Sequence, residues 1–188
     1  MVRSRIVGLT LALLFTFTFT GCASMTVNSY TERGAQFDRY ATYGWVLPDD
    51  RPTGDPRLDD NPFFFERLQS EVDGRLISRG YVRMKGGTPD LKVRAYVNLR
   101  QEVQAGGANP PPGYSERYTP QPYVQETGTL WIDVIDTRTD TIAWRGWAEG
   151  PIDGLIDNQA WLEQRIGEIV SRIMEKFPMP PHLSPHDP

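Results

Sequence analysis

The chain has one cysteine and two histidines among its 188 residues, and this scarcity limits the chemistry its sequence can support. A disulfide needs two thiols. The histidines, His182 and His186, both lie in a proline-rich C-terminal stretch, and Pro185 between them prevents the helix that would present both to one metal ion. We therefore expect no disulfide, no histidine-based catalytic triad and no zinc site.

The sequence also has no glycine-rich phosphate-binding loop. Gly86-Gly87 and Gly106-Gly107 lack the Lys-Ser/Thr pair or the helix start that such a loop requires. Acidic residues outnumber basic ones, 24 against 20, whereas nucleic-acid binding depends on clustered Lys and Arg that neutralise phosphates. We expect neither a bound cofactor nor nucleic acid as a partner.

No apolar run reaches the roughly 20 residues that a membrane-spanning helix needs. The longest, Ile6 to Phe19, follows Arg3 and Arg5 and leads into Gly21-Cys22. A basic start, a short apolar stretch and small residues at its end predict a secretory signal peptide over residues 1–21. Cys22 directly after Gly21 resembles a lipobox, the site where bacterial prolipoproteins are acylated on cysteine and cut before it. The alternative is the free cysteine of an ordinary secreted protein.

Lipidation of Cys22 predicts how and where the chain is attached. Removing the signal peptide leaves 18 Lys and Arg against 24 Asp and Glu, a net charge of −6, which disfavours adsorption to anionic lipid by charge alone. Attachment would then rest on acyl chains such as palmitate. Ala23 stands where Asp retains enterobacterial lipoproteins in the inner membrane. The sequence thus predicts a lipid-anchored protein of the outer membrane, facing the periplasm.

Two helices are predicted in the mature chain. The first begins at Asn61, a capping residue, and ends at Gly80. The second begins at Asp157 or Asn158 and ends before Pro178. Each carries one apolar stripe at helical spacing; the stripes are Phe65, Leu68, Val72 and Leu76 in the first, and Leu162, Ile166, Ile169, Ile173 and Phe177 in the second.

Alternating and aromatic segments predict the strands. They cover residues 37–46, 91–103, 130–135 and 141–148, and the last two form a hairpin around a polar loop. Residues 22–35 are interpreted as the lipidated cysteine and a tether, although 26–30 is also compatible with a first strand. Residues 36–178 then form one α+β domain. We expect a two-layer sandwich with a mainly antiparallel sheet of about four or five strands and two helices packed on one face.

Two segments lie outside this pattern. Residues 104–125 are a long loop rich in Gly, Pro and Tyr, and loops of this length are usually functional or disordered. Tyr114, Tyr118 and Tyr123 are therefore candidate residues of a binding loop for sugars or lipid headgroups, and the alternative is a spacer without a role. Residues 179–188 form a proline-rich tail that we expect to be disordered.

Paired carboxylates are the remaining catalytic candidates, because two acids at a suitable separation hydrolyse glycosides. Asp133 and Asp136 lie near the hairpin turn, Asp140 closes it and Asp90 begins a strand. Aspartates beside turns more often bond their own backbone. Asp133 is expected either to face solvent or to pair with Arg145 across the hairpin. No catalytic or metal-binding set emerges, and we expect the chain not to be an enzyme.

Several short motifs occur in a fixed order along the chain. Together they resemble the bacterial lipoprotein family catalogued as domain of unknown function 4136, over roughly residues 30–178. The resemblance implies a membrane-anchored, periplasm-facing α+β domain and brings no catalytic residues. The motifs are Phe37-Asp38-x-Tyr40-x-Thr42-Tyr43-x-Trp45, Leu76-x-x-x-Gly80-Tyr81, Pro89-Asp90-Leu91-x-Val93, Gly128-Thr129-Leu130, Asp133-x-x-Asp136, Trp144-Arg145-Gly146 and Phe177-Pro178.

The sequence leaves three functions open. The leading hypothesis is a non-enzymatic module that binds an envelope protein, a glycan or a lipid, or that assists envelope assembly or maintenance. The second is a hydrolase of cell-wall or lipid substrates that uses carboxylates such as Asp133 and Asp136. The third is a carrier of an apolar ligand, which requires a cavity of several hundred Å³ between helices and sheet.

Overall fold

The computed structural model of the protein describes residues 25–46, 53–104 and 123–178. Cys22, the signal peptide, Tyr114, Tyr118 and the C-terminal tail lie outside these ranges. Within them no helix combines the length and the apolar character needed to cross a membrane.

The described ranges contain six strands and three helices. Residues 26–30, for which both a strand and a tether were open, belong to a strand. In chain order the elements are β1 (Thr26–Thr31), β2 (Thr42–Trp45), α1 (Pro56–Asp59), α2 (Pro62–Ile77), β3 (Val82–Arg83), β4 (Leu91–Gln104), β5 (Tyr123–Asp136), β6 (Thr141–Pro151) and α3 (Gln159–Met174).

All six strands form one sheet in the order β1-β6-β5-β4-β2-β3. The β1–β6, β6–β5 and β5–β4 pairs are antiparallel, whereas β2 pairs in parallel with both β3 and β4. The fold is α+β, as expected. The prediction of a mainly antiparallel sheet of four or five strands with two helices is wrong, because the sheet is mixed and has six strands, and three helices are present in the described ranges. The chain leaves β2 through α2, and a helical crossover returns it in the same direction, which produces the parallel pairs.

The ends of α2 and α3 follow from local sequence. The side chains of Asn61 and Asn158 accept hydrogen bonds from the backbone N–H of Phe64 and Trp161, so both helices have asparagine N-caps. Beyond α2, Gly80 adopts a φ of +82°, which favours glycine, and the Tyr81 N–H bonds back to the Leu76 carbonyl. Both helices end a few residues before the expected positions, at Ile77 and Met174.

The helices pack on one face of the sheet, because alternate strand residues point that way. On β5 these are Leu130, Ile132 and Val134, which are buried in the core together with apolar residues of both long helices. Residues 37–40, expected to extend β2, instead form turns, and Phe37 packs edge-on against Phe177 with ring centroids 5.4 Å apart. None of the three described helices covers the opposite face, where the intervening residues of β4, β5 and β6 lie.

Candidate functional site

The helix-free side of the sheet carries two adjacent rows of large side chains. In one row Arg94, Asp133 and Arg145 are register partners on β4, β5 and β6. In the next row the partners are Tyr96, Trp131 and Trp147. Residues directly opposite on neighbouring strands touch through their side chains, so the six residues form one surface. We call it the arginine–aromatic face.

Asp133 organises this surface. Its side chain is 0% exposed, although it points away from the helices. Arg145 binds both carboxylate oxygens, Nε to Oδ1 at 2.6 Å and Nη2 to Oδ2 at 2.8 Å, and Arg94 Nη2 donates to Oδ2 at 2.8 Å. These bonds hold the two guanidinium groups in fixed positions. The hydrogen bonds that Arg145 donates to the Asp133 carboxylate raise the pKa of Arg145 above its usual value.

The charge of this row is not balanced. Two arginines surround a single carboxylate, so the row carries a net charge of about +1 at neutral pH. The Arg94 and Arg145 side chains remain 27% and 32% exposed. Each guanidinium has five N–H donors, and donors remain beyond those bound to Asp133. The row can therefore receive an anionic group from solvent.

The aromatic row adds an apolar surface next to this charge. Tyr96 and Trp131 stack with ring centroids 5.1 Å apart and an interplanar angle of 12°. The Arg94 guanidinium lies 5.5 Å from the centroid of the Tyr96 ring, at a cation–π distance. Trp147 stands opposite Trp131 on β6, and all three aromatic side chains are half-buried. The stacking of Tyr96 on Trp131 limits the rotamers of both side chains, so this part of the surface is preformed.

The structure does not bring the two candidate carboxylates together. Asp133 and Asp136 lie three positions apart on β5, so their side chains project from opposite faces of the sheet. Asp136 instead accepts hydrogen bonds from the Arg138 N–H at 2.8 Å and from the Tyr40 hydroxyl at 3.0 Å. Asp133 pairs with Arg145, which was one of the two arrangements that the sequence left open for this residue. A site with these two aspartates on either side of one substrate is geometrically excluded.

Asp136 and Asp90 have structural roles beside turns. Asp90 accepts bonds from the N–H groups of Ala41 and Thr42 and from the Thr42 hydroxyl, at 3.0, 2.9 and 2.8 Å. The Ala41 N–H is the largest of the influences that lower the pKa of Asp90. Partial burial works against ionisation of Asp136, yet the Arg138 N–H and the Tyr40 hydroxyl lower its pKa overall. Both groups stay ionised and bound, which does not suit an acid or base catalyst.

A second buried carboxylate was not anticipated from the sequence. Asp73 on α2 accepts hydrogen bonds from the Tyr43 hydroxyl at 2.7 Å and from Trp45 Nε1 at 2.8 Å, and it forms an ion pair with Arg83 at 2.5 Å. Burial, followed by the bond to Asp73, raises the pKa of Tyr43. The cluster ties α2 to β2 and β3. The only sequence signal was an acidic residue next to the apolar stripe of the helix.

An apolar cleft lies between the helices and the sheet. Its walls include Met25, Leu58, Phe64, Leu99 and Ile152. Its volume is about 60 Å³, whereas pockets for small molecules occupy about 300–1,000 Å³. The cleft is too small for the apolar carrier considered from the sequence.

Of the lipidation and binding-loop residues predicted from the sequence, only Tyr123 lies in the described ranges. It is the first residue of β5 and is exposed. Residues 104 and 123–125 of the expected loop belong to β4 and β5, and residues 105–122 lie outside the described ranges. Among the described residues, no group of three His, Cys, Asp or Glu is placed to hold a metal ion. Arg94 and Tyr96 were missed as site residues. They looked like the ordinary solvent face of an alternating strand.

Comparison with known proteins identifies a family and a shared fold. No curated protein matches the chain. A PDZ domain protein from Parabacteroides distasonis superimposes with a TM-score of 0.51 at 12% identity, over 83% of this chain and 35% of that one. This chain thus spans about a third of that protein, and at this identity the likeness concerns the fold alone.

Two further solved structures are more distant. A PelC dodecamer from Paraburkholderia phytofirmans gives a TM-score of 0.47 at 11% identity, covering 80% of this chain and 95% of that chain. A DUF4136 family protein from Bacteroides thetaiotaomicron gives 0.46 at 9% identity, covering 79% and 95%. The sequence profile described as "Domain of unknown function (DUF4136)" matches residues 26–179, which is most of the chain. The chain therefore belongs to the DUF4136 family.

Proposed function

We infer that this protein is a non-enzymatic binding module, tethered by acyl chains on Cys22 to the outer membrane and facing the periplasm. We assign its binding activity to the arginine–aromatic face. The observation that carries this assignment is the burial of Asp133 under two arginines on the side of the sheet that no described helix covers. Because the desolvation of a buried ion pair largely offsets its Coulombic attraction, stability alone does not account for this arrangement.

The chemistry of the face indicates an anionic glycan as its ligand. Arg94 and Arg145 bring a surplus positive charge and planar donors that match a carboxylate or a phosphate group. Beside them, Tyr96, Trp131 and Trp147 provide apolar aromatic surface for the C–H groups of a sugar ring. An anionic sugar satisfies both rows at once, whereas a purely apolar ligand would leave the surplus positive charge of the arginine row uncompensated.

Isothermal titration calorimetry tests this assignment with three probes. They are an oligogalacturonate, which carries carboxylates, an oligosaccharide bearing mannose 6-phosphate, and the neutral maltohexaose. We expect heat of binding from at least one anionic probe and none from maltohexaose, and the two anionic probes distinguish carboxylate from phosphate. Binding should weaken as the salt concentration rises.

Arg94→Gln is the informative variant. It removes the surplus charge but leaves Asp133 paired with Arg145, so the fold should persist and anionic probes should bind at least tenfold more weakly. The matched control is Arg138→Gln, because Arg138 is 82% exposed and lies 3.6 Å from Asp136 on the helix side of β5. Equal affinity of Arg94→Gln and the wild type would remove the face from consideration.

The anchor is tested separately. Bacteria that express the wild type or Cys22→Ser are grown with labelled palmitate, and the label should enter only the wild type. Equal labelling of both would overturn the anchor while leaving the binding face untouched. Fractionation of the envelope then shows which membrane carries the labelled protein.

A further inference from the structure

The most exposed of the large apolar side chains, those of Val103, Phe63 and Trp161, lie at one end of the molecule, which we call the N-terminal pole. Phe63 in the first turn of α2 is 67% exposed and Trp161 in the first turn of α3 is 62% exposed. Val103 and Val124, near the ends of β4 and β5, are 73% and 54% exposed. Large exposed apolar groups gathered in one region of a surface mark contact with a partner or a membrane.

Contacts within the fold place these residues at the same end. A Cβ on Gly150 would lie 3.4 Å from Met25 Cα, and Gly128 is the register partner of Gly150, so the start of β1 meets the end of β6 beside β5. Arg57 Nη1 binds Asp157 Oδ1 at 2.6 Å and joins the segments that precede α2 and α3. The chain entry and the N-termini of both long helices therefore share one pole.

A two-stranded arm extends from this pole. The last β6 partner of β5 is Pro151, opposite Thr127, whereas the β4–β5 ladder continues to the pair Gln104–Tyr123. The arm beyond β6 is thus four residues long on each strand, about 13 Å at the usual rise. Val103 and Val124 are register partners on it, and both are exposed.

Cys22 lies three residues before Met25, so its backbone is at most about 11 Å from the pole. We propose that the N-terminal pole docks on the lipid surface that holds the Cys22 acyl chains, with Trp161, Phe63 and the two valines of the arm at headgroup depth. This inference rests on the proposed acyl anchor. Tryptophan favours that depth, since its ring is apolar and its N–H finds polar partners there.

The charge of the pole selects the kind of lipid. Asp157 is paired with Arg57, but Asp60 and Asp153 are also exposed at the same end, and they would be repelled by anionic headgroups. The partner is therefore a zwitterionic surface. In this orientation the strands extend away from the membrane surface, and the arginine–aromatic face is exposed to the periplasm.

Tryptophan quenching by brominated lipid tests the orientation. The acylated protein is reconstituted into phosphatidylcholine vesicles with bromine on the acyl chains, which quench only nearby indoles. We expect its emission to fall relative to unbrominated vesicles, and Trp161→Phe to remove most of that loss. Added phosphatidylglycerol should reduce the quenching.

A reporter at the other end of the molecule is the matched control. Ile77, the last residue of α2, is exposed at the opposite pole, and Ile77→Trp in the Trp161→Phe background should not restore quenching. Vesicle-bound protein in which Trp161 is not quenched, or in which the indole introduced by Ile77→Trp is quenched, overturns the orientation while leaving the anchor intact. A chain that does not float with the vesicles overturns both. Quenching that declines as the protein-to-lipid ratio rises would assign the pole to a second copy instead.

Discussion

The indole ring of Trp144 occupies the space directly above Gly146, two residues further along the same face of β6. A Cβ at position 146 would lie 2.3 Å from Trp144 Cη2 and 2.5 Å from Ile173 Cγ2. Trp144 and Ile173 are both 0% exposed, so neither can move into solvent. The Trp-Arg-Gly motif thus combines two functions, since its outer residue Arg145 binds Asp133 and its inner residues seat α3 on the sheet.

Gly146→Ala should destabilise the fold by about 3 kcal/mol, the upper range for overpacking a closed core. Urea unfolding followed by circular dichroism measures the change. Gly74→Ala is the matched control, because nothing lies within 4 Å of a Cβ at this helical position. We expect it to stabilise the protein by about 0.5–1 kcal/mol. Similar effects of the two substitutions would contradict the packing described for Trp144.

Asp133→Asn should lower the free energy of unfolding by about 3 kcal/mol, because it leaves two guanidinium groups without their buried counter-charge. Asp140→Asn serves as the comparison. Asp140 is 80% exposed, lies 3.3 Å from Lys92 and has a φ of +55° that asparagine tolerates, so the loss should stay below about 1 kcal/mol. Thermal melts of both variants at neutral pH decide the point, and equal losses would show that Asp133 has no special role.

Asp73→Ala should lower the free energy of unfolding, mainly because the hydroxyl of the fully buried Tyr43 loses its hydrogen-bond acceptor. Tyr43→Phe removes that hydroxyl. In a double-mutant cycle we therefore expect the two changes to be coupled by about 1–2 kcal/mol, with Asp73→Ala less harmful in the Phe background. Chemical denaturation of the four proteins gives the coupling energy. Strict additivity would mean that Tyr43 and Asp73 do not depend on each other.

Stability should decline in acid below about pH 4. The folded structure lowers the pKa of Asp55, Asp90 and Asp136 from the ordinary value of 3.8, chiefly through Arg57 for Asp55, through the Ala41 N–H for Asp90, and for Asp136 through backbone and Tyr40 bonds that outweigh its burial. A carboxylate with a lowered folded pKa stabilises the fold above its unfolded pKa, and this contribution is lost as pH falls through the folded value.

Urea midpoints measured between pH 7 and pH 2 check this expectation. Asp90→Asn should be less stable than the wild type at pH 7 and should show a shallower acid decline, because one of the three titrating groups is gone. If stability falls with decreasing pH as steeply in Asp90→Asn as in the wild type, Asp90 does not contribute to the loss of stability in acid.

Local signals in the sequence were sufficient for the two long helices and for the β5–β6 hairpin. Asn61 was predicted as a cap, Asn158 was one of two candidate caps, and the pair Asp133–Arg145 was one of two alternatives, within reach because only a short turn separates the strands. In each case the interacting residues are close in the chain, so short-range geometry determines the contact.

Arg94 and Tyr96 show why the arginine–aromatic face could not be predicted from the sequence. They reach Asp133 and Trp131 only through the β4–β5 register, and the 18 residues between those strands leave that register undetermined by turn geometry. β2 and β3 are short and pair in parallel, so they depend on the α2 crossover and on Asp73 rather than on a strong pattern of their own. Strand number and direction were consequently mispredicted.

The sequence by itself determined the apolar stripes, the helix caps and the hairpin, since each depends on neighbouring residues. Only the tertiary structure decided that Arg94 and Arg145 share one buried carboxylate, that Asp133 and Asp136 face opposite sides, and that Phe63 and Trp161 are exposed at the same end of the molecule. These facts depend on strand register and on the parallel crossover. Both are set by burial of the whole core, and no local segment encodes them.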